Sequence, residues 1–229
     1  MRVHDLNWMQ LEDYLERDDR IVLPIGSTEQ HAYLSLGTDC ILAERVSLEA
    51  AEPLGVPVLP VLPYGLTPRF AAYPGSPTLR VETFVAVVTD LLDSLSGQGF
   101  RRILIVNGHG GNTPARSAAA QWGARNPAVR VRYHDWWDSP RVMDTVRSID
   151  PDGSHASWME NFPWTRLPGI DLPDEKKPDV STSVHDPVEF RKRVGDGSFG
   201  GAYAHADEDM LRVWQAGVEE VRELLEAWD

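Results

Sequence analysis

The chain of 229 residues has a single cysteine, Cys40, and therefore cannot form an intrachain disulfide. Its first eight residues lack the apolar core of a signal peptide, and no apolar run approaches the roughly 20 residues that a membrane-spanning helix needs. We therefore expect a cytoplasmic protein with no membrane partner. The lone Cys40 fits a small buried side chain better than a nucleophile.

Basic residues are scarce, with 22 Lys and Arg against 35 Asp and Glu, which gives a formal net charge of -13. Nucleic acid or an anionic membrane would meet like charge over most of the surface, so neither is an expected partner. The hydrophobic content of 42% and the charged content of 25% are ordinary for a globular protein. Without a break in composition, residues 1–229 are expected to form a single domain.

Apolar runs typical of buried strands alternate with amphipathic stretches typical of helices. The predicted strands are 21–25, 56–62, 101–107 and 129–134. Two predicted helices begin near Asn7 and near Thr38, and two further predicted helices cover 82–96 and 207–228. The second strand contains alternating prolines, which favour an edge or irregular strand. Residues 139–153 are predicted to be a linker, and residues 161–196 are predicted to be irregular. The alternation predicts an α/β fold, a three-layer arrangement with helices on both faces of a mostly parallel sheet.

Three potential metal ligands follow the first predicted strand within one short loop. Glu29, His31 and Asp39 come directly after the buried run 21–25. Two carboxylates and an imidazole form a ligand set that suits a divalent cation. The alternative is a surface loop of solvated charges.

A glycine-rich turn follows the third predicted strand, with the sequence Asn107-Gly-His-Gly-Gly-Asn112. A phosphate-binding turn is one reading, but the glycine spacing fits neither the dinucleotide nor the Walker pattern. His109, at the carboxyl end of a buried strand, is better placed as a metal ligand, the alternative being a structural histidine. Asn112 is expected to cap the next helix.

Further candidates follow the fourth predicted strand. Trp136 and Trp137 are either core residues or the wall of a pocket, and His155 and Glu160 are about one helical turn apart, so that they can share a helix face. The carboxyl ends of parallel strands are neighbours, and therefore all these side chains are expected at one site.

The chain resembles the creatininase (creatinine amidohydrolase) family in several blocks that occur in the family's order. The matching blocks are 26–31, 36–39, 64–65, 73–79, 107–112 and 155–160. The chain departs from the family pattern at Ala32 and Tyr33, at Ser157, at Asn161 and Phe162, and in a spacing between His31 and Asp39 that is one residue shorter.

The resemblance implies a two-metal centre of zinc or manganese, with iron as a further option. Glu29, His31, Asp39 and His109 fall on its ligand positions, with the aspartate bridging the ions. Some members carry a glutamate where this chain has Gly111. Glu160 is therefore expected to complete the second site or to act as general base, and His155 falls on a proton-transfer position.

The resemblance implies hydrolysis of a small, polar, cyclic molecule by a metal-activated water, with an amide C–N bond as the default. The alternatives are hydrolysis of a C–C bond in an inositol-derived cyclic diketone and a non-catalytic binding module. Family resemblance also implies a homo-oligomer, often a hexamer. The residues expected to contact the small-molecule substrate are Tyr33, Tyr73, Trp136, Trp137 and Trp158.

Overall fold

The computed structural model describes residues 1–228 and contains a parallel sheet of three strands. The strands β1 (Arg20–Ile25), β2 (Arg102–Asn107) and β3 (Arg130–Asp135) lie in the order β1-β2-β3. The last residues of the three strands are register neighbours, Ile25 beside Asn107 and Asn107 beside Asp135. Every loop that leaves a strand therefore starts at the same edge of the sheet.

The segment 57–62 runs beside β1 without forming a regular strand. It makes isolated parallel bridges, Val58 to Val22 and Leu62 to Ile25. Prolines in this segment lack the N–H that a continuous ladder needs. The prediction of an irregular edge strand is confirmed.

Within residues 1–228, seven α-helices surround the sheet. They are α1 (Trp8–Leu15), α2 (Thr38–Ala51), α3 (Val81–Gln98), α4 (Thr113–Arg125), α5 (Pro140–Ile149), α6 (Pro187–Val194) and α7 (Asp207–Glu226). Successive strand residues point to opposite faces. Val22 and Leu104 pack with α2, α5 and α7, and Leu23 and Ile103 pack with α1, α3 and α4. The predicted three-layer α/β fold is confirmed.

Two segments that we expected to be irregular contain helices. The predicted linker 139–153 is mostly α5, which begins where the Ser139 hydroxyl accepts the Val142 N–H and which buries Val142 and Val146. Within 161–196, α6 starts at an Asp186 cap and buries Phe190 and Val194. Each helix has only one buried apolar pair, a pattern too short to detect by periodicity.

Among residues 1–228, no helix is both long and apolar enough to cross a bilayer. Long loops instead cover the carboxyl edge of the sheet. A small cluster of Phe70, Tyr73, Phe190 and Val194 joins the loop that follows 57–62 to α6. This packing holds the loops in place above the strand ends.

The start of α2 packs directly on the end of β2. A Cβ atom on Gly108 would lie 2.3 Å from the Asp39 carbonyl oxygen and 3.0 Å from the Ala43 Cβ. Only glycine permits this approach, because the contacted atom belongs to backbone. The contact sets the position of Asp39 relative to β2.

We expect Gly108→Ala to lower the free energy of unfolding by about 1–3 kcal/mol, because α2 must move away from β2. Urea denaturation measures the change. Gly123→Ala in α4 is the matched control, since its added Cβ meets nothing within 4 Å. That control should be neutral or stabilising by about 0.5–1 kcal/mol. Equal stability of the Gly108 variant and the wild type would contradict the close approach.

Candidate metal centre

Four predicted ligands are brought together at the carboxyl edge of the sheet. Glu29 and His31 lie in the loop after β1, Asp39 lies in the first turn of α2, and His109 follows β2. All four side chains are buried. Burying unpaired carboxylates is costly, so such a cluster needs compensating positive charge.

Asp39 lies between the two histidines. Its Oδ1 is 3.0 Å from His31 Nε2, and its Oδ2 is 3.1 Å from His109 Nδ1. Glu29 Oε1 is 3.2 Å from His109 Nδ1, and Glu160 Oε2 is 3.7 Å from His31 Nε2. Two groups of three potential ligands share the Asp39 carboxylate, which lies with Glu29 and His109 in one and with His31 and Glu160 in the other. A third group consists of Glu29, His31 and His155.

The second nitrogen of each histidine faces a backbone carbonyl. His31 Nδ1 is 3.2 Å from the Glu29 oxygen, and His109 Nε2 is 2.9 Å from the Leu66 oxygen. A carbonyl oxygen only accepts, so these nitrogens carry the protons of the neutral rings. In the neutral form that metal binding requires, each ring then directs the lone pair of its other nitrogen toward the carboxylates, as metal-ligating histidines do.

Three buried atoms of the cluster make no hydrogen bond of acceptable geometry, although each lies 3.0–3.2 Å from a neighbouring ligand atom. They are Glu29 Oε1, His31 Nε2 and Asp39 Oδ2. Buried polar atoms in native proteins are nearly always satisfied. These atoms are a nitrogen and two carboxylate oxygens, a donor set that zinc and manganese accept. The residues present therefore fit divalent cations in both groups.

The pKa values reflect a strongly negative local potential. Burial favours the neutral ring of His31, but Asp39 and Glu160 raise its pKa to about 10. Against the same burial effect, Glu29 and Asp39 raise the pKa of His109 well above its ordinary value. Burial raises the pKa of Glu160 to about 7. A potential that retains protons on histidines also attracts metal cations.

Gly111 has no room for a side chain, since an added Cβ would lie 2.0 Å from the Leu66 oxygen and 2.4 Å from His109 Nε2. Glu160 lies instead beside His31 and Asp39 as a third potential ligand, and its role as ligand or general base stays a prediction. Its Oε2 accepts the Ala156 N–H at 2.6 Å.

Our expectation that His155 and Glu160 share a helix face is wrong. They lie in a turn in which Ala156 has φ of 54°, followed by a single 3₁₀ turn, Trp158–Glu160.

Gln30 contacts His155, and no pattern in the sequence indicated a role for Gln30. Its amide nitrogen is 2.9 Å from His155 Nε2 and also donates to the Gly197 oxygen, while its amide oxygen accepts the Ala32 N–H. These partners orient the amide so that His155 Nε2 accepts a hydrogen bond. Burial and the neighbouring His31 hold the pKa of His155 well below its ordinary value.

A cavity of about 600 Å³ opens above the cluster and is bordered by Glu29, Asp39, His109, His155 and Glu160. The aromatic residues that line it are Phe70, Trp137 and Phe199. Phe70 ends a single 3₁₀ turn, Pro68–Phe70, and Phe199 lies in an irregular loop, so no periodic pattern in the sequence identified them. Trp137 was predicted, and its contact with substrate stays a prediction.

The other four residues expected to contact substrate do not line this cavity. Trp136 and Trp158 are 2% and 0% exposed and pack in the core beneath α7. Tyr33 packs edge-on against Tyr203, and the Tyr73 hydroxyl donates to the Gly195 oxygen. For these four residues, contact with substrate stays a prediction.

Asn112 is the N-cap residue of α4, as predicted, but its side chain connects loops. Its side chain makes no capping bond. Its amide nitrogen donates to the Gly26 oxygen and to Asn107 Oδ1, and its amide oxygen accepts the Leu66 N–H. These bonds hold together the ends of β1 and β2 and the loop that orients His109.

Comparison with known proteins gives a match to the family model "Creatininase: Creatinine amidohydrolase" over residues 4–225. The chain is 30% identical to creatinine amidohydrolase of Pseudomonas putida, over 66% of this chain and 63% of that enzyme, which is less than two thirds of its length. It is 30% identical to 3-dehydro-scyllo-inosose hydrolase of Thermotoga maritima, over 95% of this chain and 76% of that enzyme. It is 34% identical to the mycofactocin precursor peptide peptidase of Mycolicibacterium smegmatis, over 59% of this chain and 54% of that enzyme.

The fold is that of solved creatininase structures. A crystal structure of creatinine amidohydrolase superposes with a TM-score of 0.84 at 21% identity, covering 98% of this chain and 96% of that chain. A manganese creatininase gives 0.79 at 21% identity, covering 98% and 97%. The Zn–Zn type of a mutant creatininase gives 0.78 at 20% identity, covering 98% and 96%.

A parallel sheet with buried carboxylates and imidazoles at its carboxyl edge defines an α/β protein with a candidate metal site. Within that class, the family match extends over residues 4–225. The chain belongs to the creatininase family, as its sequence motifs predicted.

We expect Asn112→Ala to lower the free energy of unfolding by about 2–4 kcal/mol, because it leaves the Gly26 carbonyl and the Leu66 N–H buried and unpaired. Chemical denaturation measures the loss. Asn126→Ala is the matched control, because its single bond to the Trp122 oxygen lies at the end of α4. The control should lose less than about 1 kcal/mol. Similar losses in both variants would refute the linking role of Asn112.

Proposed function

We propose that this protein is a dinuclear metal-dependent hydrolase that opens an amide C–N bond in a small, polar, cyclic substrate. The observation that carries the proposal is the Asp39 carboxylate, whose two oxygens face two separate groups of potential ligands. A shared carboxylate is the usual means of holding two cations close together. The cavity above Asp39 provides room for a small molecule.

Glu29, Asp39 and His109 would hold one divalent ion, and His31, Asp39 and Glu160 would hold the other. Zinc and manganese are the proposed ions, supported by the donor chemistry and by the zinc and manganese forms of creatininase; iron is a further option. When bound, such ions polarise a carbonyl and lower the pKa of water. Ser27 donates to Glu29 Oε2 and so directs Oε1 toward His109.

His155 is proposed to transfer the proton. Gln30 leaves the lone pair of the neutral ring on Nε2, and the lowered pKa keeps the ring unprotonated. Nε2 would exchange the Gln30 hydrogen bond for one from the attacking water, take that proton and release it to the departing nitrogen. Stacking on Phe70, with ring centroids 5.0 Å apart, holds the His155 ring in place.

A second candidate is hydrolysis of a C–C bond in an inositol-derived cyclic diketone. The observation in its favour is the Thermotoga maritima relative, which aligns over 95% of this chain. Addition of water to a polarised ketone uses the same groups as amide hydrolysis. Assays of cyclic amides, cyclic imides and inositol-derived ketones with one preparation of enzyme distinguish the two activities.

A non-catalytic binding module is the remaining alternative, and it should retain less than one tightly bound transition metal per chain. We further propose that residues 1–229 form one domain, that the protein is cytoplasmic and that it assembles as a homo-oligomer, a hexamer by family resemblance. Light scattering of the purified protein tests the assembly.

Asp39→Ala should reduce the metal content from two ions per chain to one or fewer, and should lower kcat at least about 100-fold, because both groups lose their shared ligand. Mass spectrometry of metals and an amide hydrolysis assay measure the two effects. Asp90→Ala, which removes an exposed carboxylate on α3, should change neither. Full metal content in the Asp39 variant would refute the bridging role.

His155→Ala should lower kcat by about 10²- to 10⁴-fold while leaving both metals bound, because it removes only the proton acceptor. Gln30→Met, which removes the hydrogen bond but keeps the side-chain length, should cause a smaller loss of kcat. Parallel measurements of rate and metal content test both variants. Loss of metal from the His155 variant would instead assign His155 as a ligand.

A further inference from the structure

Apolar side chains form most of the cavity wall above the metal cluster. They are Leu66, Pro68, Phe70, Val81, Pro114, Trp137, Met143, Met159 and Phe199. They come from every loop at this edge of the sheet and from the starts of α3 and α4. The polar floor of ligands is therefore enclosed by hydrocarbon and aromatic rings.

Polar side chains of the wall offer few free hydrogen bonds. The Ser154 hydroxyl already donates to the Gly200 oxygen at 2.7 Å. Thr67 Oγ1 is buried without a partner and offers one contact. Arg69 and Asp138 are exposed, at the outer part of the cavity. A ring with a hydroxyl on each carbon would lose water here without gaining equivalent partners, which opposes its binding.

An aromatic surface lies beside the proposed proton-transfer residue. Phe70 stacks on the His155 ring with an interplanar angle of 16°, and Phe199 approaches the same ring with centroids 4.6 Å apart. Trp137 borders the glycine turn, its Cζ2 lying 3.9 Å from the position of a Cβ on Gly110. A group attached to a substrate bound at the metals would meet these flat apolar surfaces.

The cavity is also larger than a single small ring needs. Its volume of about 600 Å³ lies within the range of sites that enclose drug-sized ligands. A ring of eight heavy atoms occupies on the order of 150 Å³, roughly the volume of five waters. The remaining space, lined mainly by apolar atoms, has room for a second group of about the size of a phenyl ring.

We propose that the substrate is a cyclic amide that carries an apolar arm of aromatic size, and that Trp137, Met143 and Phe199 bind this arm. The inference rests on the proposed amide-hydrolysing function and specifies its substrate class. The ring amide lies over the metal cluster, and the arm extends along the apolar wall. The protein should therefore bind a cyclic amide with an apolar arm more tightly than an unsubstituted ring or a polyhydroxylated ketone.

Calorimetric titration of the zinc-loaded protein with hydantoin and with 5-benzylhydantoin tests the proposal. The benzyl compound should bind about 10- to 100-fold more tightly, the gain expected for burying an aromatic side chain. If the two compounds bind with equal affinity, if hydantoin binds more tightly or if neither binds, the proposal is overturned. The titration reports binding and does not require turnover.

Substitutions in the cavity wall show where the apolar arm of the substrate binds. Trp137→Ala should reduce the preference for the benzyl compound at least about 5-fold while leaving the affinity for hydantoin within about 2-fold. Trp8→Ala, at an exposed tryptophan of α1, is the matched control and should leave both affinities unchanged. An unchanged benzyl preference in the Trp137 variant would overturn the assignment of this wall to the arm.

Hydrolysis assays separate this inference from the proposed function. Tighter binding of 5-benzylhydantoin without hydrolysis of either compound would support the apolar arm and count against amide hydrolysis. Hydrolysis of both compounds with the same kcat/KM and the same affinity would support amide hydrolysis and overturn the arm. A higher kcat/KM for the benzyl compound supports both.

Discussion

The sharing of one carboxylate by two groups of buried ligands is the constraint on which the site depends. Asp39 can face His31 and His109 together only because α2 starts where the ends of β1 and β2 lie side by side. Gly26 and Gly108 allow that start to approach both strand ends, since a Cβ on either residue would collide with α2 backbone. The negative charge of Asp39 is further stabilised by the N-terminal turn of the helix. Without cations, so many buried acidic groups would be costly to hold together.

The metal cluster could be predicted from the sequence because its residues follow strands. A buried strand is visible as an apolar run, and parallel strands end at a common edge, so Glu29, His31 and His109 could be assigned to one place before any coordinates. Glu160 was found through the family resemblance. Its local structure was not predicted, because a turn with Ala156 at positive φ leaves no periodic signal.

The pocket was predicted less well than the cluster. Trp136 and Trp137 are adjacent in sequence, and the pattern did not determine which of them faces the cavity once β3 had ended. Phe70 and Phe199 lie on loops whose course depends on contacts with α6, far away in sequence. Such contacts follow from tertiary packing, which local propensity does not encode. The similarity to creatininases does not identify the pocket residues either, because proteins with a common fold can differ in the residues around the substrate.

The chain thus combines a cluster of potential metal ligands at the strand ends with a cavity wall drawn from loops and from α3, α4 and α5. This division is consistent with relatives that are named for different substrates while sharing one fold. The most direct test of the central claim is anomalous X-ray scattering from crystals of the zinc-loaded protein. The account predicts two zinc peaks on opposite sides of the Asp39 carboxylate, one beside Glu29 and His109 and the other beside His31 and Glu160. A single peak, or peaks that do not share Asp39, would contradict it.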